Sequence, residues 1–183
     1  MTMTTREART LSRDVEAAAI PYGDKIPLAV GSTVFITQAL GGSYTVMTER
    51  GYMVRIEGKD ADAIGEEVAT APVATAASDT PVAQLAWDQL KTCFDPEIPV
   101  NIVDLGLVYK CEVAPLEAGG EKITVHFTLT APGCGMGDYL KQDVQRKIEA
   151  LPGVKETDIQ VVFEPAWEQS MMSDAARLQL GLM

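Results

Sequence analysis

Histidine and cysteine are scarce in this chain: His126 is the single histidine, and the three cysteines, Cys93, Cys111 and Cys134, stand far apart. That supply excludes a closely spaced Cys/His metal-binding repeat. An odd, scattered set of thiols is no disulfide framework either, so a reducing, cytoplasmic setting is expected. Basic residues are also short. Fifteen Lys and Arg face 26 Asp and Glu, a net charge of −11, which disfavours nucleic acid, because phosphate binding needs clustered cations. No run reaches the roughly 18 apolar residues that span a bilayer. The opening stretch, "MTMTTREARTLSRD", lacks the apolar core of a secretory leader. Neither nucleic acid nor membrane is therefore expected as a partner. What is present is 46% apolar residues in 183, enough to pack one ordinary domain or two small ones.

Between residues 14 and 57 the chain reads as short strands. "VEAAAI", "KIPLAV", "TVFITQ", "YTVMT" and "YMVRIEG" are punctuated by glycine turns. This spacing suggests a compact β-barrel or sandwich. "DADAIGEE" adds a short helical turn. The Ala/Thr/Pro-rich stretch that follows has no clear period and reads as a linker. The expected division is a β-rich domain over 11–66, a linker over 67–80 and a second domain over 81–183.

The second domain opens with a helix signal, Thr80 as cap and Pro81 at the first helical position. Val82, Ala86, Leu90 and Cys93 fall on one face. "GLVYKCEV" reads as a strand, and "ITVHFTLT" alternates, with Ile123, Val125, Phe127 and Leu129 on one side. "DYLKQDVQRKIEAL" carries Leu140, Val144, Ile148 and Leu151 on one stripe. "ETDIQVVF" is a third strand, and "SDAARLQLG" is a last helix capped by Ser173. The expected fold class is α+β: an α-β-β-α-β domain, a small mixed sheet with helices on one face, behind a small barrel-like β domain.

Two stretches carry candidate chemistry. The first is "TAPGCGMG", residues 130 to 137, which places Cys134 among glycines just before a helix start. Unpaired N–H groups there favour negative charge and lower a thiol's pKa. The glycines leave the sulfur uncovered and the turn tight. The opposing reading is a small buried residue in an ordinary strand-to-helix turn. A base is missing nearby. His126 lies four residues before Thr130 on the same strand, about 13 Å at ~3.3 Å per residue, and reads as a half-buried sheet residue. Cys93 and Cys111 read as packing residues, so one chain offers too few ligands for a complete zinc or iron–sulfur site. A labile site shared with a second copy or a client remains open. The second stretch is "DPEIPVNIVDLGLVY", where Asp95, Glu97 and Asp104 fall within ten residues. The prolines enforce extended backbone. The carboxylates are either turn caps or hard ligands beside the thiol.

Together, "DPEIPVNIVDLGLVY", "VHFTLTAPGCGMGDYLKQDVQRKIEALPGV" and "VVFEPAWEQSMMSDAARLQLG" resemble the SufT/PaaD-like iron–sulfur assembly domain across about 100 residues. The front half, with "RIEGKDADAIG", resembles the extension of the SufT branch. The resemblance implies a non-catalytic role in maturing iron–sulfur proteins, with the SUF assembly machinery and client proteins as partners. It implies a transiently held iron–sulfur cluster or iron and no tightly bound cofactor. The family's cysteine falls on Cys134, as thiolate or metal ligand. Its acidic motif falls on Asp95 and Glu97, followed by Asp104, and its threonine on Thr130. Many members have a threonine and a proline where this chain has Ala131 and Gly135. A cluster needs more thiolates than one chain offers here, so a homodimer is expected to help. The front domain is assigned to partner docking or dimer contacts. Two rivals stand beside this reading: an enzyme with a cysteine nucleophile, and an adaptor with an inert cysteine.

Overall fold

The structure is a computed structural model, and it describes residues 7–20, 22–40, 42–68, 80–95, 98–133 and 135–182. Glu97 and Cys134 lie outside the described residues, as does most of the expected linker. The chain divides into two compact units, Met1–Pro72 and Val73–Met183.

Among the described residues, the first unit holds six strands: β1 (Glu7–Thr10), β2 (Val15–Ala19), β3 (Lys25–Leu28), β4 (Thr33–Leu40), β5 (Ser43–Thr48) and β6 (Met53–Glu57). They pair antiparallel in the order β1-β4-β5-β6-β2-β3. Branched residues from successive strands, Val34, Val46, Val54 and Ile56, are fully buried. Such side chains fit a pleated, half-buried surface. A 3-10 turn over Gly58–Ile64 contributes Ala61, Ala63 and Ile64 to the buried set. Two features differ from expectation. β1 precedes residue 11, because the polar "EART" is an edge strand whose pairing with β4 comes from its backbone rather than from an apolar pattern. In ladder order β1 and β3 are the two ends of the sheet, with no pairing between them among the described residues. The ladders thus leave open what a closed barrel would join.

The second unit follows the order α1 (Val82–Leu90), β7 (Val108–Pro115), β8 (Glu121–Phe127), α2 (Gly137–Glu149), β9 (Val154–Val161) and α3 (Asp174–Gln179). β7 pairs antiparallel with β8, and β8 pairs parallel with β9. A parallel pair needs a crossover, and α2 supplies it. The predicted faces are the buried ones: Ile123, Val125 and Phe127 on β8, and Leu140, Val144, Ile148 and Leu151 on or just after α2. α1 touches β7, α2 touches β9, and the helices touch each other, so both lie on one face of the mixed sheet. Lys147 ties them together. Its Nζ donates to Thr92 O at the end of α1 (2.7 Å) and pairs with the buried carboxylate of Asp143 (3.1 Å). A cation at the carbonyl end of a helix is favourably placed.

Local boundaries shift for identifiable reasons. Pro81 is the cap of α1 and not its first helical residue. β8 ends at Phe127, so Thr128 does not continue the exposed face of the alternation; it and Leu129 are both buried in the connection to α2.

Both tryptophans, Trp87 and Trp167, lie in the second unit. Tryptophan fluorescence therefore reports its unfolding. Ile148→Ala, at a fully buried site on α2, is expected to lower the unfolding free energy read this way in guanidinium by about 2–5 kcal/mol.

Candidate functional site

The acidic stretch is a loop with a closed neck. After α1, Phe94 bridges Asn101, and Ile102 N donates to Cys93 O (2.9 Å). Inside the neck, Ile98 N donates to Asp95 O (3.2 Å), and Asp95 itself is buried. Beyond it, the Asn101 side chain organises a turn. Its Oδ1 accepts from Val103 N (3.0 Å) and Asp104 N (2.9 Å), while its Nδ2 donates to the Asp104 carboxylate (2.6 Å). This is the Asx-turn chemistry that an asparagine brings to a loop. Leu107 N then donates to Ile102 O (3.0 Å), closing the turn before β7 begins.

The second loop joins β8 to α2. Its base is fixed where Thr128 N donates to Leu107 O (2.8 Å), beside the acidic loop. On the other flank, Val162 N donates to Phe127 O (2.8 Å), bringing in the segment after β9. Thr130 is half-buried, residues 131–133 and 135 are exposed, and Met136 is buried. Gly133 takes a positive φ of 78°, which favours a residue without Cβ. Met136 occupies the cap position of α2, and a thioether supplies no oxygen to the helix N–H groups. The loop leaves the carboxyl end of a parallel strand and enters a helix N-terminus. In open α/β sheets, ligands gather at that end.

The expected site residues therefore divide. Asp95 and Thr130 sit on two loops joined at their bases through Leu107 and Thr128. Asp104 is engaged within the turn: it accepts from Asn101 and from Ser173 Oγ (3.4 Å). Glu97 and Cys134 lie outside the described residues. Asn101 and Gly106 are not singled out by the sequence reading. The "NIVD" pattern, an asparagine three residues before an aspartate, was the available signal for the first of them.

The other thiols serve packing. Cys93 is fully buried in the core, and Cys111 is half-buried on β7 opposite Val125. Desolvation pushes the Cys111 thiol up to about 11. His126 is half-buried on the central strand, one residue before the end of β8, opposite Lys110 and Gln160. Among the described residues no three His, Cys, Asp or Glu side chains gather as a metal-holding group.

Two outcomes follow from this geometry. Gly106 has φ 73°, and a Cβ there would lie 2.2 Å from Met171 O, whereas Gly133, at a similar φ, faces open space. Gly106→Ala is expected to cost about 2–4 kcal/mol and Gly133→Ala about 1 kcal/mol in fluorescence-monitored guanidinium unfolding. Burial raises the folded pKa of Cys111 above its ordinary value of 9.0. Its contribution to stability is intact below pH 9 and is lost as pH rises through about 11. Wild-type protein should lose more stability than Cys111→Val across that window in unfolding titrations at stepped pH.

A family model described as iron–sulfur cluster assembly protein matches residues 84–161, which include all five expected site residues. A Porphyromonas gingivalis protein named Fe-S protein maturation auxiliary factor is 48% identical over 94 residues, covering 51% of this chain and 86% of that one. A Staphylococcus aureus protein named Fe-S protein maturation auxiliary factor SufT is 38% identical over 89 residues, covering 48% of this chain and 96% of that one. The crystal structure of the domain of unknown function DUF59 from Bacillus anthracis is 32% identical, covers 56% of this chain and 93% of that one, and superposes with a TM-score of 0.48. The first unit lies outside the family-model match.

Proposed function

This chain belongs to the family of iron–sulfur cluster assembly proteins, and on that footing we propose that it is an accessory, non-enzymatic factor that passes iron–sulfur clusters or iron to client proteins through Cys134. The observation that carries this reading is the joining of two loops at one sheet end. The loop bearing Asp95 and the loop bearing Thr130 share a base through the Leu107–Thr128 hydrogen bond, and Cys134 follows Thr130 by four residues. Both of these relatives are named maturation auxiliary factors, which supports a role without turnover.

The chemistry follows from charge. Two residues separate Cys134 from the first residue of α2, where the helix N-terminus favours a thiolate. Asp95 and Glu97 oppose that charge, since carboxylates near a thiolate repel it. An arriving iron centre relieves the repulsion, so the loop pair favours the loaded state over a bare anion. The cluster is cargo. One thiolate per chain holds one iron position, and the remaining ligands come from a client, the SUF machinery or a second copy of this chain. Transfer is ligand exchange without redox change: an incoming client thiol bonds the iron through its sulfur, the bond to Cys134 breaks, and the client's proton passes to the departing Cys134 thiolate. Asp95, Glu97 and Thr130 shape that environment. Cys93 and Cys111, packed in the core and on β7, are in keeping with a reducing, cytoplasmic setting. The separate core of the first unit supports a division into a front domain, a linker and an assembly domain, with the front domain docking partners.

A cysteine-nucleophile enzyme finds less support, because His126 sits in mid-sheet and not on either loop. In a strain lacking the chain, Cys134→Ser is expected to leave iron–sulfur client enzymes with a small fraction of the activity that wild type restores. Full restoration by the serine variant would remove the thiol from the mechanism. Alkylation of native protein at pH 8 should mark Cys134 well before Cys93 and Cys111; an unreactive Cys134 would favour the inert adaptor.

A further inference from the structure

The segment after β9 lies beyond the family-model match, yet it returns to the acidic loop at four separated places. Trp167 Nε1 donates to Leu105 O (2.8 Å). Ser173 N donates to Asp104 O (2.9 Å), and Ser173 Oγ donates to the Asp104 carboxylate (3.4 Å) while also capping α3 through Ala176 N (3.1 Å). Gln179 Nε2 donates to Pro99 O (2.7 Å). Met171 passes so close to Gly106 that no side chain fits between them.

These contacts are unevenly distributed in a telling way. Three of them take backbone carbonyls of the loop, the groups that fix its path rather than its side-chain chemistry. Gln179 grips the loop inside its neck, between Asp95 and Asn101, and the others grip the turn outside it. The one loop side chain used is the Asp104 carboxylate, already bound to Asn101. A carboxylate that holds two donors inside a turn is spent on positioning.

We infer that the 163–182 segment is a strap that positions the acidic loop, and that Asp104 is the loop's fastening point rather than a ligand of the cargo. The inference rests on the proposed transfer role of the two-loop site. Trp167, Ser173 and Gln179 are positioning residues, acting through the loop on Asp95. If Asp104 were a ligand, loosening the strap elsewhere would leave transfer intact. If it is a fastener, variants that never touch the cargo reproduce its loss.

The test uses the full chain carrying Gln179→Ala or Trp167→Phe, each of which removes one donor to a loop carbonyl. Hydrogen exchange over 98–107 is expected to quicken about five- to tenfold in both, while α2 and β8 exchange as in wild type. In the strain lacking the chain, both variants are expected to restore client enzymes several-fold less well than wild type. Gln179→Lys, which keeps a donor on a long side chain, should recover much of the loss. Unchanged exchange over 98–107 in both variants overturns the strap. So does full restoration of clients despite faster exchange, because the loop's position would then not matter. A strain in which Cys134→Ser works and the strap variants fail would discard the thiol reading and leave the strap standing.

Discussion

The second unit depends on a short series of backbone hydrogen bonds that runs across the chain rather than along any strand. Ile102 N meets Cys93 O, Leu107 N meets Ile102 O, Thr128 N meets Leu107 O and Val162 N meets Phe127 O. Each bond is worth only about 1 kcal/mol net, and a buried amide left without one would cost more. Their value is positional. They link the end of α1, the neck of the acidic loop, the exit of β8 and the exit of β9 into one edge. The core beneath, built from Ile102, Leu105, Leu107 and Phe127, excludes water from these bonds. Excluding water strengthens them and removes alternatives.

How far the sequence reveals this depends on which forces act locally. Periodicity in α2 and β8 is a local property, and it marks Leu140, Val144, Ile148, Ile123 and Val125 correctly as core. The cap at Ser173 is equally local, since its oxygen reaches Ala176 N three residues on. Edge strand β1 escapes because the partner strand, and not its own polar residues, decides its state. Thr128 escapes because burial at a strand exit is set by what passes above it. In the site, residue types pointed to the two loops, but not to the division of labour within them. Asp104 and Asp95 are alike as letters. One is held by Asn101 and Ser173 at separations of 3 and 69 residues, and the longer of these is invisible to any window along the chain.

The electrostatic setting complements this frame. A chain with an excess of carboxylates holds few cations in reserve. In the second unit, Lys147 and Arg146 both pair with the buried carboxylate of Asp143.

The Asp104–Ser173 contact also sets an order of events during synthesis. The acidic loop leaves the ribosome some 69 residues before the serine that fastens it, and the strands that form its floor come in between. The sheet, α1 and α2 can pack as soon as β9 is made, but the loop is fastened only once Ser173 and Gln179 have emerged. The path of the acidic loop is thus set after the floor beneath it.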